Sequence, residues 1–134
     1  EVAAAAESAS GGHFDGVAWS RRHDAIAEAD IVVNATPLGQ HPDPTGSPVD
    51  GGTALRPGQV CYDLVYNPAR TRFLALAGEA GATTIGGLAM LVSQGVEALA
   101  VWLGLRVDPA AVADVRKRCQ EELERRAAWV ASGT

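Results

Sequence analysis

Asp30-Ile-Val-Val-Asn-Ala-Thr-Pro-Leu-Gly39 is the stretch that decides how this chain folds. Ile31, Val32 and Val33 are consecutive β-branched apolar residues without polar alternation, which reads as a strand buried on both faces. The run turns polar at its carboxyl end, at Asn34 and Thr36, and Pro37 and Gly39 stop it. Strands of this kind belong to parallel sheets, where ligands sit beyond the carboxyl ends.

The flanking sequence supplies the rest of that sheet. Gln59 to Tyr66 (QVCYDLVY) predicts a second buried strand ended by Asn67-Pro68, and Ala82 to Ile85 (ATTI) a third. Between them, Thr71 to Ala80 (TRFLALAGEA) repeats its apolar residues at helical spacing, and Gly81 closes the turn. Upstream, 22–29 (RHDAIAEA) is helical in propensity with Asp24 as a cap, and Val17-Ala-Trp19 predicts a minor strand. Residues 2–9 (VAAAAESA) read as the end of a helix stopped by Gly11 and Gly12. Three prolines between His41 and Pro48 exclude regular structure there. Strands alternating with helices predict an α/β fold with a parallel sheet covered on both faces.

Two helices follow. Gly86-Gly87 opens a long one from about Leu88 to Leu103, and Asp108-Pro109, a capping residue before a proline, opens the last. The last helix places Val112, Val115, Cys119, Leu123 and Ala127 on one stripe. The long helix has Leu88, Leu91, Val92, Val96, Leu99 and Leu103 on one face, yet Met90, Val101 and Trp102 extend its apolar surface around the rest. A helix apolar nearly all round is buried on more than one side, so a further domain is implied.

Composition narrows the function. The 134 residues are 47% hydrophobic and 20% charged, as in globular proteins. A formal net charge of −5 argues against a general nucleic-acid partner. No apolar run is long enough for a membrane helix, and EVAAAAESAS lacks the basic start of a secretory signal, so a cytoplasmic protein is expected. Cys61 and Cys119 then read as two buried thiols in preference to a disulfide. His13, His23 and His41 are too scattered for a metal site, and Ser93 has no nucleophile-elbow context. Lys117, the single lysine, reads with Arg116 and Arg118 as a solvated helix face without a catalytic role. The chain starts at Glu1 and its only methionine is Met90, so an upstream half is expected to be absent.

Three polar groups fall at strand ends: Asn34-Ala35-Thr36, Asp63 to Tyr66, and Gly86-Gly87. Each alone has an ordinary reading. Asn34 and Thr36 satisfy turn groups, Asp63 is a strand-end acceptor, Tyr66 an aromatic at the core edge, and the glycines serve the turn. In order and spacing they become specific. Asp30 to Gly39, Tyr62-Asp-Leu-Val-Tyr-Asn-Pro68 with Thr71, and Gly87-Leu-Ala-Met-Leu-Val-Ser-Gln94 strongly resemble the shikimate dehydrogenase family, including its quinate relatives. The resemblance runs from about Ala25 to Gly104, with looser agreement through the last helix.

The resemblance implies the second half of a doubly wound, Rossmann-like sheet followed by two C-terminal helices. Residues 1–86 would form part of the dinucleotide-binding domain. Residues 87–134 would be helices that return to an absent substrate domain. Asn34, Ala35 and Thr36 would border the dinucleotide, and Leu64 and Gly87 would lie at the nicotinamide end through their backbones. Tyr66 and Gln94 would converge on shikimate, since a hydroxyl and an amide bond a polyhydroxylated acid without adding charge. The implied activity is NADP-linked interconversion of 3-dehydroshikimate and shikimate. The alternatives are a quinate-preferring, NAD-using relative and a non-catalytic fragment or paralogue.

Several family parts do not occur in the sequence. No glycine-rich phosphate turn precedes Asn34, and Arg21-Arg22 sit too late in the unit to replace the arginine segment that reads the NADP 2′-phosphate. The family's catalytic Lys and Asp belong to the half expected upstream, so the isolated chain is expected to be inactive. In the order 3-2-1-4-5-6 the chain would supply strands 3 to 6, leaving the strand at Ile31 as an exposed edge.

Overall fold

A computed structural model of the chain describes residues 12–50 and 54–131. The helix expected over 2–9 lies outside the described residues. A 3-10 turn at Trp19–Arg21 leads into α1 (Arg22–Glu28), followed by β1 (Ile31–Asn34) and β2 (Val60–Asp63). Then come α2 (Arg72–Glu79), β3 (Thr83–Ile85), α3 (Leu88–Leu103) and α4 (Pro109–Ala131).

The sheet is parallel with order β1-β2-β3, and its register pairs Val33 with Tyr62 and Tyr62 with Ile85. Among the described residues it has three strands, not four. Val17-Ala-Trp19 forms no strand: Arg21 N–H closes onto Ala18 O, and the Arg22 guanidinium stacks on Trp19 at 4.6 Å. In a doubly wound sheet the third strand pairs only with the second, and the described residues offer no such neighbour. Among the described residues β1 pairs with β2 alone and is an edge, as expected from the strand order.

The core occupies one face of the sheet. Val32 and Cys61 point into it, with Val49, Leu55, Phe73, Leu74 and Ala77, and Ile26, Leu76, Ala80 and Ala82 pack around them. The opposite face carries Ile31, Val33 and Ile85, all exposed, Ile31 at 65%. The expectation of a sheet covered on both sides is therefore corrected, because α1 and α2 pack on one face only. At the amino end of β2, buried Gln59 staples α1 to the sheet. Its amide donates to Ile26 O (2.7 Å) and Ala29 O (2.8 Å), and its carbonyl accepts from Arg56 N–H at 2.8 Å.

Local signals account for most helix ends. Thr71 caps α2, its hydroxyl accepting from Leu74 N–H at 3.3 Å. Asp108 accepts from Ala110 N–H at 2.9 Å ahead of Pro109, and Gly104 closes α3 in the left-handed region (φ 64°). Asp24 is not the cap of α1. It lies within the first turn, where its carboxylate favours the helix dipole and sits 3.6 Å from Arg21.

α3 and α4 pack against each other. Along α3 only Val92 and Ala100 are buried, while Leu99, Val101, Trp102 and Leu103 are exposed, Val101 and Trp102 at 78%. The two cysteines are both free. Cys61 is buried, which pushes its thiol pKa up, whereas Cys119 is only half-buried, contrary to expectation. No helix among the described residues is long and apolar enough to cross a membrane.

Candidate functional site

The site grows from the carboxyl ends of β1 and β2. Asn34 and Asp63 are register partners on the last rung of that pair, and both are buried. Leu64 N–H donates to Asn34 O at 3.0 Å, extending the ladder one step. Asn34 Nδ2 donates to Asp63 Oδ1 at 3.0 Å and to Leu38 O at 3.3 Å. Its Oδ1 accepts from the backbone N–H (3.1 Å) and the hydroxyl (2.7 Å) of Thr36. Thr36 Oγ1 in turn accepts from Leu38 N–H at 3.3 Å.

Asp63 completes the set. Oδ1 also accepts from Val65 N–H at 3.0 Å, and Oδ2 accepts from the Thr71 hydroxyl at 2.5 Å. This buried carboxylate is therefore satisfied by an amide, a peptide and a hydroxyl, as a buried polar group must be. The strand-end acceptor reading of Asp63 holds.

Around this rung lies a cleft of about 310 Å³, lined by Ala35, Thr36, Pro37, Gln40, Leu64, Val65 and Tyr66. Three expected cofactor positions and one expected substrate position thus share one wall. The lining carries no charged side chain. Asn34 stands behind the wall, with both ends of its amide engaged.

Gly87 closes the site from the α3 side. It is buried, and a Cβ built on it would lie 2.7 Å from the carbonyl carbon of Leu64 and 2.9 Å from Asp63 O. Real Cβ atoms do not come so close, so only glycine permits this contact between the start of α3 and the Leu64 peptide.

Tyr66 also lines a larger cavity of about 460 Å³, between Ala69, Gly86, Leu88 and Ala89 on one side and Ala113, Arg116, Lys117, Gln120 and Glu121 of α4 on the other. Lys117 stays largely exposed and lies 3.9 Å from Glu121, in keeping with a solvated face. Gln94 lines neither cavity. Its amide donates to Leu91 O of its own helix at 3.0 Å on an exposed face.

Gln40 was not singled out in the sequence. It enters the cleft because Gly39, at φ 88°, turns the chain back, and its N–H donates to Pro37 O at 3.1 Å. The Pro37-Leu-Gly39 turn was its only signal. Arg22 donates to Pro48 O at 2.8 Å and to Asp50 at 3.1 Å. Among the described residues no cluster of metal-ligating side chains occurs.

No protein-family model matches the chain. Among known proteins it is similar to the shikimate dehydrogenase (NADP(+)) of Crocosphaera subtropica, with 38% identity over 102 residues, 75% of this chain and 35% of that protein. The quinate dehydrogenase of Corynebacterium glutamicum, solved with NAD, superposes with a TM-score of 0.75 at 34% identity, covering 87% of this chain and 40% of that one. The shikimate 5-dehydrogenase of Thermus thermophilus, solved with NADP(H) and shikimate, gives a TM-score of 0.63 at 35% identity, covering 76% and 37%. The chain spans about a third of the length of the curated relatives it matches.

Proposed function

We propose, on the premise that this chain belongs to the shikimate dehydrogenase family and corresponds to the C-terminal part of its members, that the full-length protein interconverts 3-dehydroshikimate and shikimate with NADP. The supporting observation is the strand-end cleft, which gathers Ala35, Thr36, Leu64 and Tyr66 on one wall at the carboxyl edge of a parallel sheet. Its small lining, with no cation to repel a pyridinium and with Thr36 and Gln40 as polar partners for a carboxamide, fits the nicotinamide end of a dinucleotide. NADP, when bound, supplies or accepts the hydride exchanged with the ring carbonyl carbon of the substrate.

The chain's own part is binding and orientation. The Leu64 peptide and the Thr36 turn border the ring, and the Tyr66 hydroxyl, on the rim of both cavities, bonds a hydroxyl or carboxylate of the substrate. Gln94 joins it once its amide leaves Leu91 O. Hydride transfer needs its two carbons held in near-attack geometry, and a rigid strand-end wall provides that. The similarity to a quinate dehydrogenase solved with NAD, over 87% of the chain, supports a second reading in which quinate and NAD are preferred.

The full-length protein should reduce NADP when shikimate is added, followed as NADPH absorbance, with quinate and NAD as the parallel arm. A faster quinate–NAD reaction would favour the second reading. No reduction in either arm would overturn both.

A further inference from the structure

Asp63 is fully buried and belongs to no wall of either cavity, yet its carboxylate joins three segments that meet at the cleft. Through Asn34 Nδ2 it reaches the Thr36 turn. Through Val65 N–H it holds the peptide between Leu64 and Tyr66, and through Thr71 it holds the start of α2. We infer that Asp63, acting with Asn34 and Thr71, is a positioning residue that sets the Leu64–Tyr66 segment against the Thr36 turn, and so fixes the substrate's distance from the cofactor ring. This inference rests on the dehydrogenase reading of the cleft.

A purely structural staple would not need this chemistry. At the opposite end of β2, Gln59 ties α1 to the sheet with a neutral amide that donates to carbonyls. At the cleft end the tie is a carboxylate that accepts at both oxygens. Every segment it meets presents a donor, so its two ends are equivalent to its partners and neither end can be turned against them. What the carboxylate adds here is a single geometry for three backbone segments.

Asp63→Asn is the sharp probe, being nearly isosteric. Its Oδ1 can keep Asn34 and Val65, but its amide nitrogen then faces the Thr71 hydroxyl. That oxygen already accepts from Leu74 N–H and would have to accept again, leaving its own proton without a partner. Thr71→Val removes the same leg from the other side, and Thr71→Ser restores both the hydroxyl and the cap.

The test measures kcat, KM for shikimate and for NADP, and Tm on the full-length protein, with rates taken per mole of folded enzyme well below each Tm. Asp63→Asn and Thr71→Val should lower kcat by about tenfold or more while KM for NADP moves by less than about threefold, and Thr71→Ser should recover most of kcat. Should Asp63→Asn fail to fold, the two Thr71 variants decide. Variants that lose Tm but keep wild-type kcat overturn the inference alone. A wild-type protein inactive with shikimate and quinate alike overturns the dehydrogenase reading, and this inference with it.

Discussion

Gly87 illustrates how a single residue controls the site, because a methyl group there has nowhere to go. Its neighbours are backbone atoms of Leu64 and Asp63, which cannot rotate aside as a side chain would. Gly87→Ala should therefore destabilise the protein by about 1–3 kcal/mol, as overpacking in a close-packed interior does. It should also lower kcat, since the strain falls on the Leu64 peptide. Chemical denaturation of the full-length protein checks the first part; an alanine variant as stable as wild type would mean that α3 gives way freely. At this scale the sequence was informative about which residues matter and less so about what their side chains do. Asn34, Thr36, Asp63 and Gly87 stand out as polar or small residues at strand ends. Whether Asn34 faces a ligand or its own turn depends on hydrogen-bond partners 29 residues away, at Asp63. Gln94 carried no local sign that it would satisfy itself on Leu91.

The elements were legible where their signals are local. β1, the boundaries of α3 and the Asp108-Pro109 start of α4 match their sequence cues, because apolar runs, glycines and capping residues act within a few positions. Val17–Trp19 failed because a strand is defined by its partner, which no local pattern supplies. Apolar patterning also overstated how well α3 is covered: it has the composition of a buried helix, yet Val101 and Trp102 are 78% exposed. We read that surplus as the surface on which the substrate domain packs. Replacing both residues by lysine in the isolated chain should leave its Tm unchanged or raise it slightly, since little is buried there to lose. In the full-length protein the same pair should cost about 2 kcal/mol or more, by placing charge in a desolvated contact. Thermal melts of both proteins with and without the pair test this, and an equal, small effect in the two would rule out a packed interface at that end of α3.

The whole molecule combines a well-tied cleft wall with an open sheet. Among the described residues, one face of the sheet and the unpaired edge of β1 present Ile31 and Val33 to solvent, and in the doubly wound order a central strand belongs beside that edge. The wall can orient a ring, but it has no glycine-rich turn before Asn34 to hold a pyrophosphate on backbone amides. Its one lysine, Lys117, is largely exposed and sits beside Glu121 on α4. Placing the reactants in a closed, oriented pair is worth about 7–11 kcal/mol of barrier in favourable cases, and one wall of a cleft forfeits most of that. The isolated 134-residue chain should therefore give no NADPH from NADP and millimolar shikimate above the rate without protein. Background from a contaminating host dehydrogenase is separated by repeating the assay with Tyr66→Phe, which alters only this chain. A saturable rate that falls with that substitution would mean the fragment assembles a working site by itself, and that the division of labour inferred from its fold is wrong.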